Sequence, residues 1–253
     1  MKSKIGFFDK IAIKMFCPEF EGVILEKKYS LFECVIGYEN IKIILSNLLK
    51  SKYPVSLLLT GSAGCGKTLF LKEVELKFPK QSYYIDGSRA TKAGIFEVLF
   101  NDIKNEIKYL LIDELDKMST TDQESLLTLI QDGKLVQTLK TRVRSKTYDY
   151  LSVICASNQK ESILYPLLNR FYSIAIKDYE HSEFMSIAIQ ILTQKYGVDY
   201  DLANYIIDRV WNDLEKPNIR DCENIAKLAN NNREMVDLLI ENTDKNSFVD
   251  SAY

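Results

Sequence analysis

Apolar positions change their period along this chain. Residues 55–60 form a short, nearly continuous apolar run, the pattern of a strand buried on both faces. Leu69, Phe70, Leu71, Val74 and Leu76 then recur at helical spacing until Pro79 ends the pattern. The alternation repeats with a strand over 82–86, a helix over 95–100, a strand over 108–113 and a helix over 121–131. Two more strands follow, over 150–156 and 172–176. Thr121, with Glu124 three positions on, reads as the capping box that opens the helix over 121–131. Strands alternating with helices predict a parallel sheet covered on both faces. From about residue 177 only helical periodicity remains, over 183–195, 201–211, 220–229 and 234–241, which predicts a small bundle. The expected class is therefore α/β: an N-terminal extension over 1–30, a parallel-sheet core over 31–177 and an all-helical lid over 178–253.

The link between the first strand and the first helix after it carries the strongest chemical signal. Gly61-Ser62-Ala63-Gly64-Cys65-Gly66-Lys67-Thr68 fits the phosphate-loop spacing, and Leu69 continues into the helix. Glycines let successive backbone N–H groups turn inward around phosphate oxygens, and the helix presents its positive end. The pattern predicts that Lys67 reaches the β and γ phosphates of ATP and that the Thr68 hydroxyl ligates Mg²⁺. Leu110-Leu111-Ile112-Asp113-Glu114 is an apolar strand that ends in two carboxylates. Ligands bind at the carboxyl edge of open parallel sheets, so Asp113 is the candidate Mg²⁺ partner and Glu114 the candidate base.

With these motifs in place, the chain resembles the AAA+ ATPases over roughly residues 31–240. Leu115-Asp116-Lys117-Met118 after the carboxylates is similar to the family's Walker B region. Ala156-Ser157-Asn158 resembles sensor 1, which implies that Asn158 positions the attacking water. Leu168-Asn169-Arg170-Phe171 resembles the arginine-finger motif, which implies that Arg170 acts on a neighbouring subunit's γ-phosphate. Asn218-Ile219-Arg220-Asp221 resembles sensor 2, with Arg220 on the γ-phosphate, although it departs from the usual Gly-Ala-Arg. Val35-Ile36-Gly37-Tyr38-Glu39 resembles the adenine-side segment, which places Ile36 and Gly37 beside the base. Asp86-Gly87-Ser88-Arg89-Ala90-Thr91-Lys92-Ala93-Gly94 is similar to stretches in archaeal RuvB-type ATPases. The family implies ATP and Mg²⁺ as cofactors and a homo-oligomeric ring, a hexamer.

Charge bears on the substrate. The formal net charge is −2, but residues 177–253 hold eight Lys/Arg against fifteen Asp/Glu, and residues 1–176 hold twenty-five against twenty. Asp132-Gly133 signals a turn, and residues 134–147 then carry five basic side chains and no acidic one. The segment resembles the hairpin placed before sensor 1 in a clade that includes minichromosome-maintenance helicases, RuvB and MoxR-type chaperones. In a ring such hairpins face the pore, where Lys140, Arg142, Arg144 and Lys146 would track the phosphates of DNA. A solvated hairpin, a MoxR-like chaperone acting on a protein partner, and a slow ATP-gated switch are the alternatives.

Composition narrows the remaining classes. The 253 residues are 46% hydrophobic and 27% charged, as in ordinary globular domains. No apolar run approaches the roughly 18–20 residues of a membrane helix, so a cytoplasmic protein with no membrane partner is expected. Five scattered cysteines and the single His181 do not make a zinc site of the usual spacing, and they leave little room for a Ser-His or Cys-His hydrolase.

Overall fold

The computed structural model describes residues 31–32, 35–138 and 143–243. Its first compact unit ends at Asp178 and its second begins at Tyr179.

The first unit opens with α1 (Glu39–Lys50), β1 (Ser56–Thr60), α2 (Lys67–Lys77), β2 (Ser82–Asp86), α3 (Lys92–Asn101) and β3 (Tyr109–Asp113). It continues with α4 (Thr120–Asp132), the hairpin β4 (Lys134–Thr138) and β5 (Val143–Thr147), β6 (Ser152–Ser157), α5 (Tyr165–Leu168) and β7 (Tyr172–Ala175). Five strands form one parallel sheet in the order β2-β3-β6-β1-β7.

The near-continuous apolar runs are explained by burial on both faces. Leu58, Leu110, Ile112, Val153 and Cys155 face one cluster with Ile95 and Leu99 of α3 and Leu126 and Leu129 of α4. Their neighbours Leu57, Leu59, Leu111, Ile154 and Ala156 face a second cluster with Ile41 and Leu45 of α1 and Phe70, Leu71 and Val74 of α2. Alternate residues of each central strand thus serve opposite layers, as the two-residue period requires. Burial pushes the Cys155 thiol well above its usual range.

One expected cap is corrected. Helix α4 starts earlier than Thr121: its N-cap is Ser119, whose hydroxyl accepts the Asp122 N–H at 3.2 Å and donates to Asp122 Oδ2 at 2.5 Å. Two cap signals overlap here, and the pair Ser119 and Asp122 opens the helix one residue ahead of Thr121. Asp122 also accepts the Lys92 N–H at 2.6 Å, which ties the starts of α3 and α4 together. At its other end α4 stops at Gly133, a left-handed residue (φ 62).

The second unit is helical, as its periodicity predicts. It comprises α6 (His181–Gln190), which runs on as a π turn over Ile191–Lys195, then α7 (Tyr200–Asp213), α8 (Ile219–Ala229) and α9 (Arg233–Asn242). Asp199, Asn218 and Asn232 cap α7, α8 and α9 with their side chains. Phe184, Leu192, Ile206, Ile207, Val210, Cys222 and Val236 are buried in this unit. Among the described residues no helix is long and apolar enough to cross a membrane.

Candidate functional site

Strand register brings the chemistry to one edge. Thr60 pairs with Ser157 at the carboxyl ends of β1 and β6, so Gly61 and Asn158 leave the sheet at the same level. Ile112 pairs with Cys155, so Asp113 ends β3 beside them. The sequence separates these groups by up to about a hundred residues, and the parallel ladder alone brings them together.

The loop over 61–66 curls back on itself. Gly64 (φ 87) and Gly66 (φ 89) adopt left-handed backbone, and Gly66 caps α2 in that conformation. A side chain at Gly66 would be strained there, which explains why this position needs glycine. Lys67 is 5% exposed; its ammonium donates to the Gly61 carbonyl at 2.9 Å and the Ser62 carbonyl at 2.5 Å. It also lies 3.4 Å from the sulfur of Cys65. The Ser62 hydroxyl donates to the carboxylate of Asp178. Ser62 and Ala63 are exposed, while Cys65 is buried and Thr68 and Leu69 are half-buried.

Asp113 is 9% exposed and both its oxygens are engaged. Oδ2 accepts from the Tyr84 hydroxyl at 2.9 Å, and Oδ1 accepts from the Glu114 N–H at 3.1 Å. Glu114 sits in left-handed backbone (φ 51, ψ 48), which for such a residue costs about 1 kcal/mol. That twist falls at the point where β3 gives way to a short 3₁₀ turn over Leu115–Lys117. A Cβ on Gly87 would lie 2.3 Å from the Glu114 carbonyl oxygen, so the chain after β2 must be side-chain-free to pass this turn. The Asp113 carboxylate and the Thr68 hydroxyl are hard oxygen donors, the chemistry Mg²⁺ takes.

Asn158 is exposed at the tip of β6, and its N–H donates to Asp116 Oδ1 at 3.1 Å. Ile36 and Gly37 are half-buried, and Gly37 (φ 76) and Tyr38 (φ 56) are consecutive left-handed residues that set the start of α1.

Residues 57–179 match the family described as "ATPase family associated with various cellular activities (AAA)". This segment is an AAA ATPase domain. Lon protease 1 of Myxococcus xanthus is 28% identical over 227 residues, which is 81% of this chain and 27% of that protein. The mitochondrial Lon protease homolog of Yarrowia lipolytica is 27% identical over 173 residues, 58% of this chain and 14% of that protein. The chain therefore spans a minor part of the curated relatives it matches. The Thermotoga maritima RuvB Holliday junction branch migration motor shares the fold, with a TM-score of 0.62 and 18% identity. That likeness covers 86% of this chain and 74% of the RuvB chain.

Within the AAA domain, Arg170 is exposed just after α5. Its guanidinium donates to Gln131 Oε1 at 2.7 Å and 3.3 Å and to the Pro166 carbonyl at 3.0 Å. Arg220 lies in the helical unit and is exposed in the first turn of α8. Asn218 caps that turn, accepting the Asp221 N–H at 3.0 Å.

The hairpin of the AAA domain is antiparallel, with Leu135 opposite Lys146 and Gln137 opposite Arg144. Leu135 is fully buried, so this face of the ribbon packs on the domain. Arg144 lies over the Phe100 ring, 4.4 Å from its centroid. Lys146 turns its ammonium onto the end of α3, donating to the Leu99 carbonyl at 2.6 Å, the Asp102 carbonyl and the Tyr148 hydroxyl at 3.1 Å. Burial lowers the Lys146 pKa against the pull of Asp102. The ammonium of Lys146 thus rests on helix carbonyls, because the two-residue period places Lys146 on the same face of the ribbon as Leu135. Lys140 and Arg142 lie outside the described residues. The opposite face carries exposed Val136 and Val143.

Sequence reasoning missed Tyr84 and Asp116. Tyr84 stands in no motif, and Asp116 stands in the Walker B-like stretch without a role read for it; each contact needs the register of its strand or turn to be seen.

Proposed function

We propose that the protein is an ATP-hydrolysing motor that works as a homo-oligomeric ring and remodels or translocates along DNA. One arrangement carries the reading: the phosphate loop, the Asp113–Glu114 pair and Asn158 leave three adjacent strands at one sheet edge. In this reading the loop amides cradle the phosphates of ATP, and Lys67 exchanges the carbonyls of Gly61 and Ser62 for phosphate oxygens. Glu114 accepts a proton from water as its oxygen bonds to the γ-phosphorus, and Asn158 holds that water in line. The bond from the γ-phosphorus to the β-bridging oxygen breaks, and ADP leaves with its electrons. Mg²⁺, held by Thr68 and Asp113, neutralises charge on the β and γ oxygens when bound. Arg170 of a neighbouring copy stabilises the developing charge on the γ-phosphoryl group.

The substrate reading rests on the one-signed charge of residues 134–147. With Lys146 tied to α3, the DNA contacts fall to Lys140 and Arg142, with Arg144 partly covered by Phe100. The outward Val136 and Val143 favour a second reading, in which the hairpin grips a protein partner. An ATPase assay with and without single-stranded DNA, run beside a mass measurement in ATP, tests both. Turnover that DNA stimulates, in a hexamer, is the expected result. Stimulation by a protein substrate alone transfers the reading to a chaperone, and absence of turnover overturns the motor.

A further inference from the structure

We infer that Asp116 is a positioning residue for ATP hydrolysis, one whose buried carboxylate holds the backbone of Asn158 in step with Glu114. The inference rests on the roles proposed above for Glu114 and Asn158.

Asp116 is 8% exposed. Its Oδ1 accepts the Asn158 N–H at 3.1 Å. Its Oδ2 is buried and has no hydrogen-bond partner. A buried carboxylate oxygen left without a donor is costly, and such groups call for an explanation.

The bond that Oδ1 makes has a geometric consequence. The ladder between β3 and β6 ends at Ile112 and Cys155. Beyond it the Asp116–Asn158 hydrogen bond continues the connection between the two chain segments. Asp116 is rigid with respect to Glu114, because the turn between them is closed: Lys117 N–H donates to the Glu114 carbonyl at 2.9 Å and Met118 N–H to the Leu115 carbonyl at 3.2 Å. Glu114, in left-handed backbone, is the residue from which this turn starts. The carboxylate therefore couples the base on one strand to the water-holding residue on the next, and a displacement of about 1 Å there can cost on the order of a hundredfold in rate.

The test uses the full chain and reads ATP affinity and turnover separately. Asp116→Ala lowers kcat by about tenfold or more while the affinity for a fluorescent ATP analogue stays within about threefold. Asp116→Asn, which keeps the acceptor, recovers kcat to within about threefold of wild type. Because Asp116 acts through Asn158, Asp116→Ala combined with Asn158→Ala turns over no more slowly than Asn158→Ala alone, within about twofold. If Asp116→Ala does not fold, Asp116→Ser, whose hydroxyl is too short for the bond, is read in its place. Wild-type kcat in Asp116→Ala, or in Asp116→Ser where that is read in its place, overturns the inference, as do equal defects in the Asn and Ala variants or a parallel loss of affinity and turnover. Wild-type turnover in Asn158→Ala overturns the parent reading instead, and the two failures are distinguishable.

Discussion

Tyr84 donates its hydroxyl hydrogen to Asp113 from the neighbouring strand, at 2.9 Å. Burial first, and the Asp113 carboxylate second, raise the phenol pKa well above its ordinary value. The phenol therefore stays a donor, and it fixes one carboxylate oxygen while the Glu114 N–H fixes the other. Groups that orient a metal-binding carboxylate commonly matter about 10–100-fold to metal affinity. In Tyr84→Phe the Mg²⁺ concentration that half-saturates the Mg²⁺-dependent gain in nucleotide affinity should rise several-fold. Affinity without Mg²⁺ should not change. An unmoved Mg²⁺ titration would show that the phenol merely fills space.

Glu114→Gln should bind ATP as wild type does and lose turnover by at least about a hundredfold, the usual contribution of a general base. Glutamine keeps the length of the side chain and tolerates the same backbone. Lys67→Ala should lose nucleotide binding itself, since the loop then presents no cation to the phosphates. Equilibrium binding beside steady-state turnover separates the two defects, and normal turnover in Glu114→Gln would remove Glu114 from the mechanism.

Arg170 is tethered only through Gln131 and the Pro166 carbonyl among the described residues, and it is exposed. Arg170→Ala protein should be nearly inactive alone, by about a thousandfold. Mixed with Glu114→Gln protein it should regain activity, because one kind of interface then joins an intact base to an intact arginine. Mixed oligomers that form and stay inactive would end the assignment in trans.

The hairpin separates into two experiments. Replacing Lys140 and Arg142 with Gln should flatten the slope of log DNA affinity against log salt by up to about 1.4, two single-strand phosphate contacts. Lys146→Met should leave that slope alone and lower the melting temperature. Charged hydrogen bonds to the carbonyls at the end of α3 are worth about 1–2 kcal/mol after allowance for partial exposure, which is about 2–8 °C in a domain of this size. A salt slope that moves with Lys146 and not with the other pair would make Lys146 the DNA contact.

The fold was legible because its signals are local. The apolar runs that became β1, β3 and β6 are continuous, and Gly61 to Thr68 is contiguous, so neither requires knowledge of distant chain. The seat of Lys146 on α3 was not legible, because strand period alone does not say which face is buried; Leu135, on the partner strand, decides that. Tyr84 and Asp116 were invisible for a related reason. Their partners, Asp113 and Asn158, lie 29 and 42 positions away, and only the assembled ladder brings them within hydrogen-bonding range. The cap of α4 was misplaced by two residues because Ser119 and Thr121 both begin plausible boxes, and Asp122 settles the choice.

The pairing of β1 with β6, from Ser56 with Val153 to Thr60 with Ser157, works as a ruler with a fixed graduation. A residue inserted into or removed from either strand shifts the phosphate loop against Asn158 by one whole step, about 3.3 Å, and turns its side chains to the opposite layer. No intermediate setting exists within the ladder. Inheritable adjustment of the gap between loop and asparagine is therefore confined to the residues beyond Thr60 and Ser157, where the chain has left the sheet. The base of the same ruler is pinned by the Val55 N–H, which donates to the buried Ser152 hydroxyl at 3.0 Å. A change there, roughly five strand steps or 17 Å from the edge, would register as a fault in catalysis while touching none of its groups.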